Sequence, residues 1–182
     1  MSAFNIKSTV LTQRDATPKV LSEGTLARGT VRSGFGVQKV SSAGTDLNAA
    51  GTQIRLVTVP SHARIESLDY GGTSCVTSAL DVAVWYPTYV PAQGANFLTS
   101  SNAWTLISSS KFLANITIPD TDQAFTTAFP AITAANLGAQ EQPLWQYLGL
   151  ATDPEMSLDI GFTVRTACSI NGYVGLKARY TE

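Results

Sequence analysis

The feature that most constrains the fold is a strict alternation of apolar and polar residues in the last third of the chain. Apolar side chains occupy every second position from Met156 to Val164, and a second alternating run covers residues 173–180. A period of two residues is typical of β-strands with one face in a core and the other in water. Asn171-Gly172, a preferred pair for a type I′ turn, precedes the second run and predicts a hairpin between the two strands.

Shorter alternating runs predict further strands, and proline or paired glycines end each of them. These strands are expected at residues 53–59, 64–70, 80–86 and 112–118, before Pro60, Gly71-Gly72, Pro87 and Pro119. Two long connections, 87–103 and 119–140, separate some of them. Loops of this length in a compact domain are usually functional or bound to a partner.

One short helix is expected to interrupt the strands. Pro143 suits its first turn, Leu144 and Leu148 stand four residues apart on one face, and Gly149 lies where a helix C-terminus is commonly capped. Many short strands with a single helix predict an all-β fold, an antiparallel β-sandwich or jelly-roll-like body.

The first 45 residues differ from the rest. They lack a sustained apolar period, and Pro18 and several glycines divide them. Such a segment buries too little surface to offset the entropy of its own ordering, so it is flexible or ordered by a partner. The sequence therefore predicts an extended N-terminal arm for subunit contacts at residues 1–45 and a β-sandwich body at residues 46–182.

Charge follows the same division. Residues 1–45 hold six basic and two acidic residues, a net +4, and the remainder holds six basic and eleven acidic residues, a net -5. The chain as a whole, at -1, lacks the positive excess of a nucleic-acid binder. A basic arm could lie on an acidic neighbour, although a polar arm also stays soluble. The candidates for partner contact in the arm are Arg14, Asp15, Lys19, Arg28, Arg32, Phe35 and Lys39.

Catalytic constellations are missing from the sequence. His62 is the single histidine, it lies at a predicted strand end, and no G-x-S-x-G nucleophile elbow accompanies it. Asp120 and Asp122, and likewise Asp153 and Glu155, are neighbours in polar loops that favour turns over a glycosidase or calcium site. No phosphate-binding or dinucleotide-binding glycine pattern occurs. The sequence therefore predicts no enzyme activity, no cofactor and no metal.

The cysteines and the N-terminus indicate where the chain folds. Cys75 and Cys168 are expected to be buried thiols, with a disulfide between them left open. No signal-peptide run and no apolar stretch of about 20 residues occurs, so folding in a cytoplasm and no contact with a membrane are expected.

Three tryptophans could serve as contact residues. Trp85 lies opposite Val84 on its strand and is the best candidate for an exposed aromatic side chain in a subunit interface. Trp145 on the helix favours packing in the core or between subunits. Trp104, with the two long loops, suggests the alternative of a carbohydrate-binding module.

Three stretches together resemble a group of small structural proteins of tailed bacteriophages. The first is Arg14-Asp15-Ala16-Thr17-Pro18, and the second is the run IRLVTVPSHARI at residues 54–65. The third is the segment at residues 143–154, which contains Pro143-Leu144-Trp145, Leu148-Gly149-Leu150 and Asp153-Pro154. Taken in this order, the three stretches extend over most of the chain. No catalytic or ligand residue carries over from the resemblance.

The resemblance implies a component of the virion, assembled in the cytoplasm of a bacterial host. It suggests a capsid decoration (cement) protein that binds the major capsid protein and other virion subunits, as a homo-oligomer for which analogy suggests three-fold symmetry. The alternative within the virion is a neck, adaptor or tail-fibre subunit.

Overall fold

A computed structural model of the chain describes residues 5–7, 31–40, 50–75, 78–87, 106–109, 111–118, 123–129, 142–165 and 170–182. Within these ranges it has ten β-strands and one short helix. In chain order they are β1 (Asn5–Lys7), β2 (Arg32–Val40), β3 (Gln53–Pro60), β4 (Arg64–Cys75), β5 (Ser78–Trp85), β6 (Leu106–Ser108), β7 (Ile116–Ile118), β8 (Gln123–Thr127), α1 (Leu144–Tyr147), β9 (Ser157–Val164) and β10 (Ile170–Thr181).

These strands form two sheets. The six-stranded sheet has the order β1-β3-β9-β5-β6, with β7 also paired to β5, and the four-stranded sheet has the order β2-β10-β4-β8. Every described pair is antiparallel except β1 with β3, which is parallel. The predicted all-β fold with a sandwich body and one short helix is confirmed, whereas the jelly-roll connection stays a prediction.

The core lies between the two sheets. Leu158, Ile160 and Phe162 of β9 belong to the same buried cluster as Val174 and Leu176 of β10. The apolar positions of both alternating runs therefore face inward, as the sequence predicts. Burying such side chains stabilises the fold by about 1.5–3 kcal/mol each relative to leaving them exposed.

The predicted hairpin at Asn171-Gly172 is wrong. Both residues lie inside β10, where Gly172 is the partner of Val40 on β2. Strand β9 instead pairs with β3 and β5 in the other sheet. The chain therefore crosses from one sheet to the other between residues 164 and 170. The backbone hydrogen bonds that β10 forms with β2 on one side and β4 on the other outweigh the local turn preference of Asn171-Gly172.

Two further expectations are corrected. The glycine pair Gly71-Gly72 does not end its strand, because β4 continues to Cys75 and pairs with β10 on the way. The connection predicted at 119–140 contains β8, which pairs with β4 through Asp69 and Tyr70. Glycine weakens a strand, but it is tolerated where neighbouring strands supply the hydrogen bonds.

The helix forms where the sequence predicts it. Pro143 precedes α1, Leu144 and Leu148 are buried, and Gly149 has a φ of 79°, the left-handed conformation that suits glycine after a helix. The Leu144 amide donates to the Ala63 carbonyl at 2.8 Å. This short helix is therefore fastened to the turn between β3 and β4.

Part of the predicted arm is a strand of the sandwich. Residues 32–40 form β2, which pairs with β10 along nine residues. Near its start, the Arg32 guanidinium lies 2.8 Å from the Glu182 carboxylate. A functional division of the chain at residue 45 stays a prediction, but β2 belongs structurally to the four-stranded sheet.

Candidate functional site

The described residues expose six large apolar side chains, and most of them lie on one sheet. Phe35 and Val37 of β2, Phe125 of β8 and Tyr173 of β10 are 55%, 39%, 47% and 46% exposed. All four lie on the outer side of the four-stranded sheet, and we call them the Phe35 face. Val31 lies just before β2, and Leu106 lies on the other sheet.

The inner side of β2 explains why its apolar side chains point outward. Gly36 is buried and lies against the backbone of Leu56, so that a Cβ atom there would overlap the Leu56 carbonyl oxygen. Strand β2 therefore approaches β3 too closely to place a side chain between them at this point. Because side chains alternate along a strand, Phe35 and Val37 on either side of Gly36 point away from the core.

Phe125 reaches across the sheet to β2. Its ring tip lies near Gly175 of β10, where an added Cβ would stand 3.4 Å from both Phe125 Cζ and Val37 Cγ2. The Phe125 and Phe35 rings pack at a centroid distance of 5.8 Å and an angle of 56°. The missing side chain at Gly175 thus lets residues of β8 and β2 meet over β10 and form one apolar strip.

Lysines flank this strip. On β10, Lys177 stands between Phe35 of β2 and Asp69 of β4, and Tyr173 stands opposite Lys39. Both lysine side chains are exposed, and Asp69 is half-buried. The stems of such side chains extend the apolar surface while their charged ends stay in water.

The outer side of the six-stranded sheet is different, because charged and aromatic side chains are fully buried there. Arg55 Nη1 lies 2.6 Å from Asp159 Oδ2, Thr58 Oγ1 donates to Asp159 Oδ1 at 2.9 Å, and Trp85 is the cross-strand partner of Asp159. The sequence predicts an exposed Trp85 and a wet face on β9. Both expectations are wrong at this position, because Trp85 and Asp159 are 0% exposed.

A bulge in β3 places Arg55 on this face. The pairing with β9 shifts between Arg55, opposite Gly161, and Val57, opposite Ile160. A Cβ atom at Gly161 would overlap the Ile54 carbonyl oxygen, so glycine is needed for this close approach. The two opposite charges are therefore buried together, away from solvent.

Of the predicted contact residues, three lie together on β2. Phe35 and Lys39 are exposed on its outer side, and Arg32 is engaged within the chain by Glu182. The other four arm residues lie outside the described ranges; these are Arg14, Asp15, Lys19 and Arg28. The sequence reasoning missed Phe125, because it treated residues 119–140 as a connection.

The predicted catalytic and metal-binding candidates among the described residues lie in turns. His62 is exposed in the turn between β3 and β4. Asp153 accepts hydrogen bonds from Ser61 Oγ and, at 2.9 Å, from the Glu155 amide, so it organises a turn as predicted. Among all the residues that the structure describes, no group of three metal-binding side chains occurs, and no helix is long and apolar enough to cross a membrane.

Asp120, Asp122, Trp104 and Cys168 lie outside the described residues, and Cys75 is described only through its place in β4. Trp145 on α1 is half-buried.

No family model and no curated protein matches the sequence. Among solved structures, a chain of the capsid of Ralstonia phage GP4 is similar, with a TM-score of 0.61 and 16% identity over 98% of this chain and 97% of that one. A chain of the capsid asymmetric unit of cyanophage Pam1 aligns over 92% and 96% of the two chains with 13% identity, but its TM-score is 0.39. The first likeness shows a shared fold along nearly the whole chain.

Proposed function

We propose that the chain is a non-enzymatic structural subunit of a bacteriophage virion. The observation that carries this proposal is the likeness in fold, over nearly the full length of both chains, to a chain of the capsid of Ralstonia phage GP4. The Phe35 face adds to it, since exposed apolar patches on a folded protein commonly mark contacts with other proteins.

Within the virion, we propose that the chain is a capsid decoration protein that binds across subunits of the major capsid protein and stabilises the head. A protein that bridges a joint needs more than one contact region. The Phe35 face offers one, and the basic segment at the start of the chain offers another. Three-fold self-association would repeat these contacts and raise avidity without a single strong contact.

The number of copies in a particle tests this position. We expect quantitative mass spectrometry of purified virions to find copies on the order of hundreds, as a protein distributed over the whole shell requires. About a dozen copies or fewer would instead fit a neck, adaptor or tail-fibre subunit at a single ring and would contradict the decoration role.

Two truncations test the N-terminal segment as a contact region. Removing residues 1–30 leaves β2 in place and takes from the six-stranded sheet only β1, a three-residue strand at its edge. We therefore expect a folded protein that no longer binds particles. Removing residues 1–45 also takes away β2, which uncovers one edge of β10, and we expect this variant to be unstable. Particle binding by the shorter truncation at full affinity would refute the role of the segment.

The carbohydrate-binding alternative is tested by a glycan screen monitored through tryptophan fluorescence. Stacking of a sugar on a tryptophan ring should shift its emission. We expect no shift, in keeping with a structural role. Trp85 is fully buried and cannot stack on a sugar, so a shift would point to Trp145 or to Trp104 and would favour the carbohydrate-binding alternative.

A further inference from the structure

We propose that the Phe35 face docks an apolar, acidic surface of a different virion protein, not a second copy of this chain. The inference deepens the proposed virion role and rests on it.

The apolar part of the match comes from side chains that have no place in the core. Phe35 and Phe125 are about half exposed while they hold each other at 5.8 Å. Their position is fixed by the four hydrogen-bonded strands of this sheet, β2, β10, β4 and β8. Aromatic side chains held in this way lose little freedom on binding, and for that reason they are frequent anchors of protein interfaces.

The charged part of the match comes from the residues around the strip. The described charged side chains at outward positions of this sheet number four basic and two acidic; they are Lys39, Arg64, Lys177 and Arg179 against Glu66 and Asp69. By register, Lys177 stands opposite Phe35 and Lys39 stands opposite Tyr173. A partner surface with carboxylates opposite these two lysines would complement the face.

Charge also disfavours a second copy as the partner. Two copies joined through the same face by a two-fold axis would bring lysines of one copy near lysines of the other. Like charges brought together at an interface oppose association. An acidic partner meets no such penalty.

Nucleic acid fits the face less well than protein. Single strands bind along continuous positive grooves whose aromatic rings are free to stack with bases. Here Phe35 and Phe125 pack on each other, and the carboxylate of Asp69 lies beside Lys177, where it would repel phosphates. An apolar protein surface with a few carboxylates satisfies both features.

The test measures binding of the full-length chain to phage particles that lack it. These particles are produced by the phage that encodes the chain, with the gene for the chain removed. We expect Phe35→Ser and Phe125→Ser each to weaken binding at least about tenfold, the scale of an interface anchor. Leu106→Ser is the matched control, since Leu106 is 46% exposed on the other sheet. Its binding should equal that of the unmodified chain.

Charge reversal provides variants that leave the apolar strip intact. Lys39→Glu with Lys177→Glu should weaken particle binding about tenfold or more, and added salt should weaken binding of the unmodified chain. Lys111→Glu, at another exposed lysine, is the control. Full binding by the Phe35, Phe125 and double-lysine variants, while the unmodified chain binds, would overturn the inference and leave the virion role standing.

The remaining outcomes separate the two proposals. If the unmodified chain does not bind particles, both fail together. If sedimentation shows an oligomer that Phe35→Ser dissociates, the occupant is a second copy and the inference is overturned. Salt-sensitive binding of an oligothymidine that Phe125→Ser abolishes would overturn it in favour of nucleic acid.

Discussion

Arg55 and Asp159 form an ion pair in the interior, with 2.6 Å between Nη1 and Oδ2 and with both side chains fully buried. Replacing one member leaves the other charge buried without its counter-charge, which costs about 3–5 kcal/mol. We therefore expect Arg55→Met and Asp159→Leu each to lower the free energy of unfolding by that amount, measured by urea denaturation.

The double variant measures the interaction between the two side chains apart from their contacts with the rest of the protein. Arg55→Met with Asp159→Leu removes both charges, and we expect it to lose clearly less stability than the two single losses added together. Additive losses would mean that the two side chains stabilise the fold independently, contrary to the geometry.

Two neighbouring glycines of β2 should respond differently to the same substitution. Gly36 lies against the Leu56 backbone, whereas a Cβ at Gly34 would meet Val57 at 3.7 Å, an ordinary contact. We expect Gly36→Ala to cost at least about 2 kcal/mol by overpacking. Gly34→Ala should stay within about 1 kcal/mol of the unmodified protein, since it also reduces the entropy of the unfolded chain. Thermal unfolding of both variants decides the matter, and equal losses would contradict the close approach of β2 to β3.

The rings of Phe35 and Phe125 should contribute modestly to stability, although they are central to the proposed interface. An aromatic pair of this geometry contributes about 0.5–1.5 kcal/mol beyond burial of its area. In a double-mutant cycle with Phe35→Ala and Phe125→Ala, we expect a coupling free energy in that range. A coupling near zero would mean that the rings do not hold each other in solution.

The alternation of side chains made the core predictable, and the turn signals were less informative. The inward-facing apolar positions of β5, β9 and β10 follow directly from their period of two, and Pro143 and Gly149 delimit α1 as expected. The Asn171-Gly172 pair predicts a turn that does not form. A turn preference depends only on the local sequence, whereas β10 gains hydrogen bonds to two strands that are distant in sequence, β2 and β4.

The candidate site was predictable in part. Phe35 and Lys39 were identified because they stand in a basic, glycine-rich segment without an apolar period. Phe125 was not, since its strand has no buried alternation and lies at a sheet edge, recognisable only through its pairing with β4. The burial of Trp85 and Asp159 depends on what covers the outer side of their sheet, which the period of a strand does not encode.

Tyrosine ionisation should make the fold sensitive to alkaline pH. Burial raises the pKa of Tyr147, and burial, with the nearby Glu182 carboxylate, raises the pKa of Tyr180, against a smaller opposing effect of Arg32. In the unfolded chain both phenols titrate near pH 10. The folded state holds these protons more tightly, so the stability they contribute is complete below about pH 10 and is lost as the pH rises through the higher pKa of the folded state.

Tyr147→Phe isolates one of these contributions. The Tyr147 hydroxyl donates to the Lys111 carbonyl at 2.7 Å, and its ring packs on Phe112 with centroids 5.2 Å apart. The variant keeps the ring, so at neutral pH we expect a loss of only about 1 kcal/mol for the hydrogen bond. Above about pH 10 its free energy of unfolding should fall less steeply with pH than that of the unmodified chain, because one raised pKa is gone. Urea denaturation across this range measures both slopes, and identical slopes would mean that Tyr147 titrates alike in the folded and unfolded states.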